Sequence, residues 1–352
     1  MGPRIAILGT GANGSVFAAD LIGAGHDVTC IEQWPEHVDK IRADGITIEI
    51  EEEGTFVTPV EKIIHLCEVA TLTEPFDIVF LLLKAYDTRW GCELIKPHVA
   101  EDGVVVGVQN GMTFDDIIDI MGADRAIGSV IEVSSTMLEP GFVERQSPHA
   151  RSWFGVGTDD GEVTPRLLEV AELMRHVGEV EIVYDIRSAK WMKLVINAVE
   201  LVPSAILDMS IPGASKIPKM RELMIRAGNE AIDAGLALGY EIVPIFGLDD
   251  VDPTRPHEYV RALFEKLMDD FVLETTRSTV LQDWIRGRHS EVNEIHGAVV
   301  AALPKGSATV NETMIELALQ IERGERERGR SNLETLLAML GSVAQGDTEL
   351  VE

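Results

Sequence analysis

Apolar residues in the first half of the chain gather into short β-branched runs instead of alternating with polar ones. Ile5-Ala6-Ile7-Leu8 is followed by Val28-Thr29-Cys30-Ile31, by Ile78-Val79-Phe80-Leu81-Leu82-Leu83 and by Val104-Val105-Val106-Gly107-Val108. Strands that are apolar along their whole length are covered on both faces. With helix-like stretches between them, these runs predict βαβ units, a parallel sheet and hence a doubly wound α/β domain. Around residues 125–157 the segments shorten and are broken by Pro140-Gly141, Gly155 and Gly157, which predicts antiparallel strands appended to that sheet. From about Ser188 helical periodicity takes over, for instance over Met220 to Leu238 and Val292 to Ala302, with the acidic stretch Leu248 to Pro253 as a turn between helices. The expected organisation is an α/β domain over 1–187, a mostly helical domain over 188–340 and a flexible polar tail over 341–352.

Composition narrows the class. At 352 residues and 45% hydrophobic content the chain is long enough for two cores. No run of eighteen apolar residues occurs, and Met1-Gly2-Pro3-Arg4 leads straight into a strand-like segment, so a cytoplasmic protein with no membrane partner is expected. Thirty basic residues against 59 acidic ones leave a net charge of −29, a field that repels a phosphate backbone and argues against nucleic-acid binding. That acidity fits a well-solvated surface or a salty habitat. Cys30, Cys67 and Cys92 are odd in number and lack Cys-x-x-Cys spacing, so neither a structural disulfide nor a zinc or other metal site is expected.

Candidate chemistry starts at Gly9-Thr10-Gly11-Ala12-Asn13-Gly14, directly after the first strand and opening a helix. Gly9 permits the tight turn, Gly11 lets the backbone approach a pyrophosphate and Gly14 lets helix and strand pack closely. The amides of Ala12 and Asn13 belong to the helix N-terminus, where orphan N–H groups favour an anion. Glu32, at the end of the second strand, is placed to accept hydrogen bonds from ribose hydroxyls and to repel the extra phosphate of NADP. Gln33, Trp34 and Pro35 offer no arginine in compensation, so the cofactor expected is NAD, with NADP as the alternative.

Lys84 and Asn110 each follow a parallel strand at its C-terminal end, where ligands of such sheets bind. Further on, Lys193, Asn197 and Leu201 stand at i, i+4 and i+8 of a predicted helix, and Ser278 to Asp283 precedes Arg286 to Glu291. Taken singly, each is also compatible with a solvated surface.

As an ordered set, Gly9-x-Gly11-x-x-Gly14, Lys84-Ala85, Gln109-Asn110-Gly111, Glu139-Pro140-Gly141, Trp191-x-Lys193-Leu194-x-x-Asn197 and Leu281-Gln282-Asp283 with Glu291 resemble the ketopantoate reductase family (2-dehydropantoate 2-reductase). The resemblance covers roughly residues 4 to 325. It implies an N-terminal Rossmann domain, a helical C-terminal domain that pairs into a homodimer, and a cleft in which a nicotinamide cofactor reduces a 2-oxo acid. By that similarity Lys193 is the general acid, Asn197 a substrate ligand, Lys84 and Asn110 groups near the nicotinamide and substrate, and Glu291 the carboxylate that steadies the polar network. Hydride arriving at a ketone carbon leaves charge on oxygen, which a cationic donor both stabilises and protonates.

Three positions depart from the family pattern. Leu201 replaces an asparagine that would bind the hydroxyl end of the pantoyl group, Thr279 replaces a serine, and Glu32 sits where NADP users tend to carry a nearby arginine. The expected activity is therefore hydride transfer between NAD(H) and a 2-oxo or 2-hydroxy acid more apolar than ketopantoate. An authentic NADPH-dependent ketopantoate reductase, a D-2-hydroxy-acid dehydrogenase for aromatic or branched acids, and a non-catalytic dinucleotide-binding regulator are the alternatives.

Overall fold

The computed structural model describes residues 2–51, 53–250 and 252–349, with side chains described through Gly341. Two compact units divide the chain, Met1–Lys190 and Trp191–Glu352. The first opens with β1 (Arg4–Leu8), α1 (Ala12–Gly23), β2 (Asp27–Glu32), α2 (Pro35–Asp44), β3 (Ile46–Ile50), β4 (Gly54–Thr58) and β5 (Ile63–His65). It continues with β6 (Phe76–Leu81), α3 (Thr88–Ile95), β7 (Val99–Gly107), α4 (Phe114–Met121) and β8 (Ala126–Glu132). β9 (Ser135–Glu139), β10 (Phe142–Arg145), β11 (Trp153–Gly157), α5 (Pro165–Met174) and β12 (Glu179–Ile182) complete it.

Eight strands form one sheet in the order β12-β11-β8-β7-β6-β1-β2-β5, parallel throughout except for the β8/β11 pair. The predicted apolar runs account for its centre: Ile5 to Leu8, Ile78 to Leu81 and Val104 to Val106 are all buried. Register matters more than composition for the chemistry. Leu8 lies beside both Ile31 and Leu81, and Leu81 beside Gly107, so β1, β2, β6 and β7 end level with one another. The chain runs from β1 to β2 on one side and later returns to β6 on the other, which opens a crevice at the carboxyl ends of these strands. Phe17 of α1 packs on Phe80 and Phe154 at centroid distances of 5.5 and 5.4 Å and so fixes the helix to the sheet.

Residues 125–157 do not simply append antiparallel strands to this sheet. β8 runs parallel to β7, and β11 alone is antiparallel, to β8. β9 and β10 instead join a separate four-stranded sheet, β4-β3-β10-β9. Gly157, which resembles a break, sits inside β11 because a Cβ there would lie 2.3 Å from the carbonyl oxygen of Val183.

In the second unit the helices are α6 (Ile186–Ile206), which begins in the first unit, α7 (Ile211–Ser215), α8 (Pro218–Ala237) and α9 (Pro256–Asp270). They are followed by α10 (Thr279–Ile285), α11 (Ala298–Ala302), α12 (Thr309–Glu322) and α13 (Asn332–Glu349). Trp191 locks α6 to α8: its Nε1 donates to the Ala231 carbonyl at 2.8 Å, and its ring stacks on Tyr240. The helical period over Val292 to Ala302 resolves into a π turn, Asn293–Gly297, followed by α11. The acidic turn predicted near Leu248 lies in the irregular segment between α8 and α9, with Val251 outside the described residues. The tail expected from Gly341 falls on residues whose side chains lie outside the described ones, although the backbone of α13 is helical to Glu349. Among the described residues no helix is long and apolar enough to cross a membrane, and no group of three or more His, Cys, Asp or Glu is placed to hold a metal ion.

Candidate active site

The glycine loop follows β1 at the crevice. Gly9 has φ +95°, and a Cβ there would lie 2.9 Å from the Leu82 backbone. A Cβ on Gly14 would come within 2.0 Å of the Gly9 carbonyl oxygen, so strand and helix touch through that position. Gly11 differs: a Cβ there meets no atom of the chain within 4 Å. Its openness is what the approach of a ligand to the backbone requires, so the loop fits a dinucleotide pyrophosphate on its own geometry.

His37 anchors this loop and carries no motif of its own. Its Nδ1 accepts from the Gly141 amide at 2.8 Å, so the proton sits on Nε2, which donates to the Thr10 carbonyl at 2.8 Å. The Glu139-Pro140-Gly141 turn thus reaches the glycine loop through one fully buried imidazole. Asn13 is tied to the second sheet, its Oδ1 accepting from Ser135 Oγ at 2.6 Å. Glu32 is 6% exposed at the end of β2, and its Oε1 accepts from the Gln33 and Trp34 amides at 2.8 and 3.0 Å.

Lys84 and Asn110 leave the ends of β6 and β7 and are both half-buried. Gln109 joins the two segments, its Nε2 donating to the carbonyls of Leu83 and Lys84 at 2.8 and 3.3 Å. Beneath them Lys190 is 3% exposed and donates to the carbonyls of Gln109 and Ser129 at 3.0 and 3.1 Å. Burial pushes its pKa down to about 8. The same effect pushes the Cys30 and Cys92 thiols up to about 12, which excludes both as thiolate nucleophiles near neutral pH.

The second unit supplies a different set. Lys193 and Asn197 are 6% and 1% exposed, which removes the solvated-surface reading of this helix. Lys193 Nζ lies 3.7 Å from Oε1 of Glu200, itself 4% exposed, and 5.4 Å from the centroid of the Phe246 ring. Glu200 belongs to no motif, yet it stands seven residues from Lys193 and so about 20° away around the helix. Leu201 is buried and, at eight residues, about 80° away, so it shares the Lys193 face less closely than its spacing suggested.

Ser278 caps α10 by accepting from the Leu281 amide at 3.3 Å. Thr279 is left with a buried Oγ1 that has no hydrogen-bond partner among the described residues, the condition of a group that awaits a ligand. Glu291 is 4% exposed and precedes the π turn, a distortion frequent at functional sites that no sequence pattern announces. Burial raises the pKa of Glu294 within that turn.

The doubly wound sheet with its glycine loop, together with a buried lysine–asparagine helix, defines a Rossmann-type oxidoreductase. Residues 5–158 match the family model described as ketopantoate reductase PanE/ApbA, and residues 185–322 match its C-terminal model. The chain belongs to the ketopantoate reductase PanE/ApbA family. A 2-dehydropantoate 2-reductase of Archaeoglobus fulgidus is 28% identical over 329 residues, 91% of this chain and 98% of the relative. Among solved structures, a D-mandelate dehydrogenase with NADH and anilino(oxo)acetate superposes with a TM-score of 0.78 at 20% identity, covering 91% of this chain and 98% of that one. A PanE/ApbA family ketopantoate reductase from Ralstonia eutropha JMP134 gives 0.74 at 22% identity, covering 92% and 100%.

Proposed function

We propose that this oxidoreductase transfers a hydride between NAD(H) and the carbonyl carbon of a 2-oxo acid, with Lys193 as proton donor to the carbonyl oxygen. When bound, the nicotinamide supplies the hydride. The observation that carries the reading is the burial of Lys193 and Asn197 together on one helix: a desolvated ammonium is costly unless it serves a partner or a reaction. In this reading Lys193 protonates the nascent alkoxide, Asn197 and Thr279 hold the substrate, and Lys84 and Asn110 border the nicotinamide. Glu291 orders the polar groups around them. The glycine loop, with Ala12 and Asn13, holds the pyrophosphate.

Cofactor choice rests on Glu32. Its Oε1 is committed to two amides of the chain, which fixes the carboxylate at the strand end where a ribose is expected. NADH is expected to exceed NADPH in kcat/KM by at least about tenfold, roughly 1.4 kcal/mol. Glu32→Arg should shrink or reverse the ratio. Glu32→Gln, which keeps an acceptor for the two amides and loses the charge, should reduce it without loss of melting temperature. Equal use of the two cofactors by the unmutated protein would count against the assignment.

The buried Leu201 supports a substrate with an apolar tail, since a leucine cannot satisfy a buried hydroxyl. The likeness to a 2-dehydropantoate 2-reductase of Archaeoglobus fulgidus favours a second reading, ketopantoate itself as the substrate. A homodimer, expected from the family resemblance, is read from the molar mass in solution by light scattering.

A further inference from the structure

No motif marks Glu200, yet it is the charged residue nearest Lys193 on α6. Its carboxylate is 4% exposed, and the 3.7 Å from Oε1 to Lys193 Nζ is longer than a hydrogen bond but well within the range of a strong charge interaction. The Phe246 ring lies on the same ammonium, with Nζ 5.4 Å from its centroid. A buried carboxylate is costly unless a cation or a set of donors compensates it, and the ammonium two turns away is the cation in place.

We propose that Glu200 is the positioning residue for Lys193, holding the ammonium over Phe246 and keeping it protonated at the pH where it acts as proton donor. This rests on the reading of Lys193 given above. Lys190 provides the internal comparison. It is buried to a similar extent and, among the described residues, is held by two backbone carbonyls, and burial pushes it down to about 8. Lys193 differs in having a carboxylate beside it, and an opposite charge within about 4–6 Å favours the charged form.

The fully buried residues of α8, packed on α6 through Trp191, are apolar or small, from Met220 to Gly235, and its half-buried Glu230 is engaged by the Val310 and Asn311 amides of α12. The other buried titratable groups of this unit among the described residues are Asp283, Glu291, Tyr259 and His296. Tyr259 donates its hydroxyl proton to the Val243 carbonyl, and burial pushes its pKa up, so it stays neutral. His296, bonded to Asn311, is pushed down to about 4 by burial and is also neutral. Asp283 and Glu291 lie buried on the segment that follows α9, and Glu294 is half-buried within the π turn.

The test is the pH profile of kcat for 2-oxo acid reduction in the unmutated protein and in Glu200→Gln, Glu200→Asp and Lys193→Ala, with melting temperatures alongside. Removing the negative charge lowers the Lys193 pKa, so in Glu200→Gln the alkaline limb should move down by about 1–3 pH units, with the rate recovered on the acid side. Glu200→Asp keeps the charge but retracts it, and should move the limb in the same direction by a smaller step. It also serves as the test should Glu200→Gln fail to fold. A limb that stays in place in the folded variants overturns the proposal, whatever the loss of rate or stability. If Lys193→Ala is crippled while the Glu200 variants keep the unmutated limb, the proposal alone fails. If Lys193→Ala retains both rate and limb, the proton-donor reading falls and takes this proposal with it.

Discussion

Lys193→Ala is expected to lower kcat for reduction by about 10²–10⁴, the range for losing a positioned general acid, equivalent to about 3–5 kcal/mol in the barrier. NADH affinity should stay near normal, because the glycine loop and Glu32 belong to the other compact unit. Lys190→Ala is the instructive control, and its outcome should differ in kind. Its Nζ donates to two buried carbonyls, those of Gln109 and Ser129, and removing it leaves both unmet. That costs about 1–3 kcal/mol of stability, or several degrees in melting temperature for a unit of this size. The prediction is thus a loss of kcat in folded protein at Lys193, with some loss of melting temperature as Glu200 loses its cation, and a loss of melting temperature with kcat largely kept at Lys190. A crippling loss of kcat in Lys190→Ala, with Lys193→Ala mild, would show that the proton donor has been placed one turn too late.

The second large effect separates two glycines of one loop. In Gly14→Ala the new methyl would sit 2.0 Å from the Gly9 carbonyl oxygen, a backbone atom that cannot rotate away. Overpacking of this kind costs about 1–3 kcal/mol or more, and the helix that presents its amides to the ligand must shift. Both melting temperature and NADH affinity should fall. A Cβ on Gly11 meets nothing of the chain, so Gly11→Ala should melt like the unmutated protein. It should nevertheless bind NADH at least about tenfold more weakly, because the methyl occupies the ligand's approach. Fluorescence titration with NADH, paired with thermal melting, reads both. Unchanged affinity in Gly11→Ala would mean that the pyrophosphate does not rest on this loop.

How much was legible beforehand depended on whether burial leaves a pattern. The parallel core was readable because runs such as Ile5 to Leu8 and Val104 to Val106 have no exposed side to dilute them. The glycine loop was readable because strand, turn and helix each carry their own signal. The second sheet was not: β4 is exposed along most of its length, and β9 and β10 resemble any hairpin until their partner β3 is known. β8 looked antiparallel because turn residues follow it, although its own neighbour is β7.

Lys84 and Asn110 are candidates from their places at the ends of parallel strands, whereas Lys193, Asn197 and Glu291 stand out only through the ordered family pattern, since alone each resembles a surface residue. Glu200 is not legible in the sequence, because a charged residue on a helix ordinarily marks its solvated face. Residues 188–207 are in fact all buried, so a charged residue on this helix has no solvent to face and must meet a partner. The seven-residue spacing from Lys193 was the available signal. His37 offered none, as its role arises from a contact 104 residues away, with Gly141.

The most direct measurement is the initial rate of NADH oxidation across a panel of 2-oxo acids that includes ketopantoate and analogues ending in methyl groups or a ring, repeated with NADPH. Turnover with NADH is expected, with kcat/KM higher for the apolar acids than for ketopantoate and with NADPH poorer throughout. Quenching of bound NADH fluorescence with no turnover on any acid of the panel would contradict the account and make the protein a dinucleotide-binding regulator.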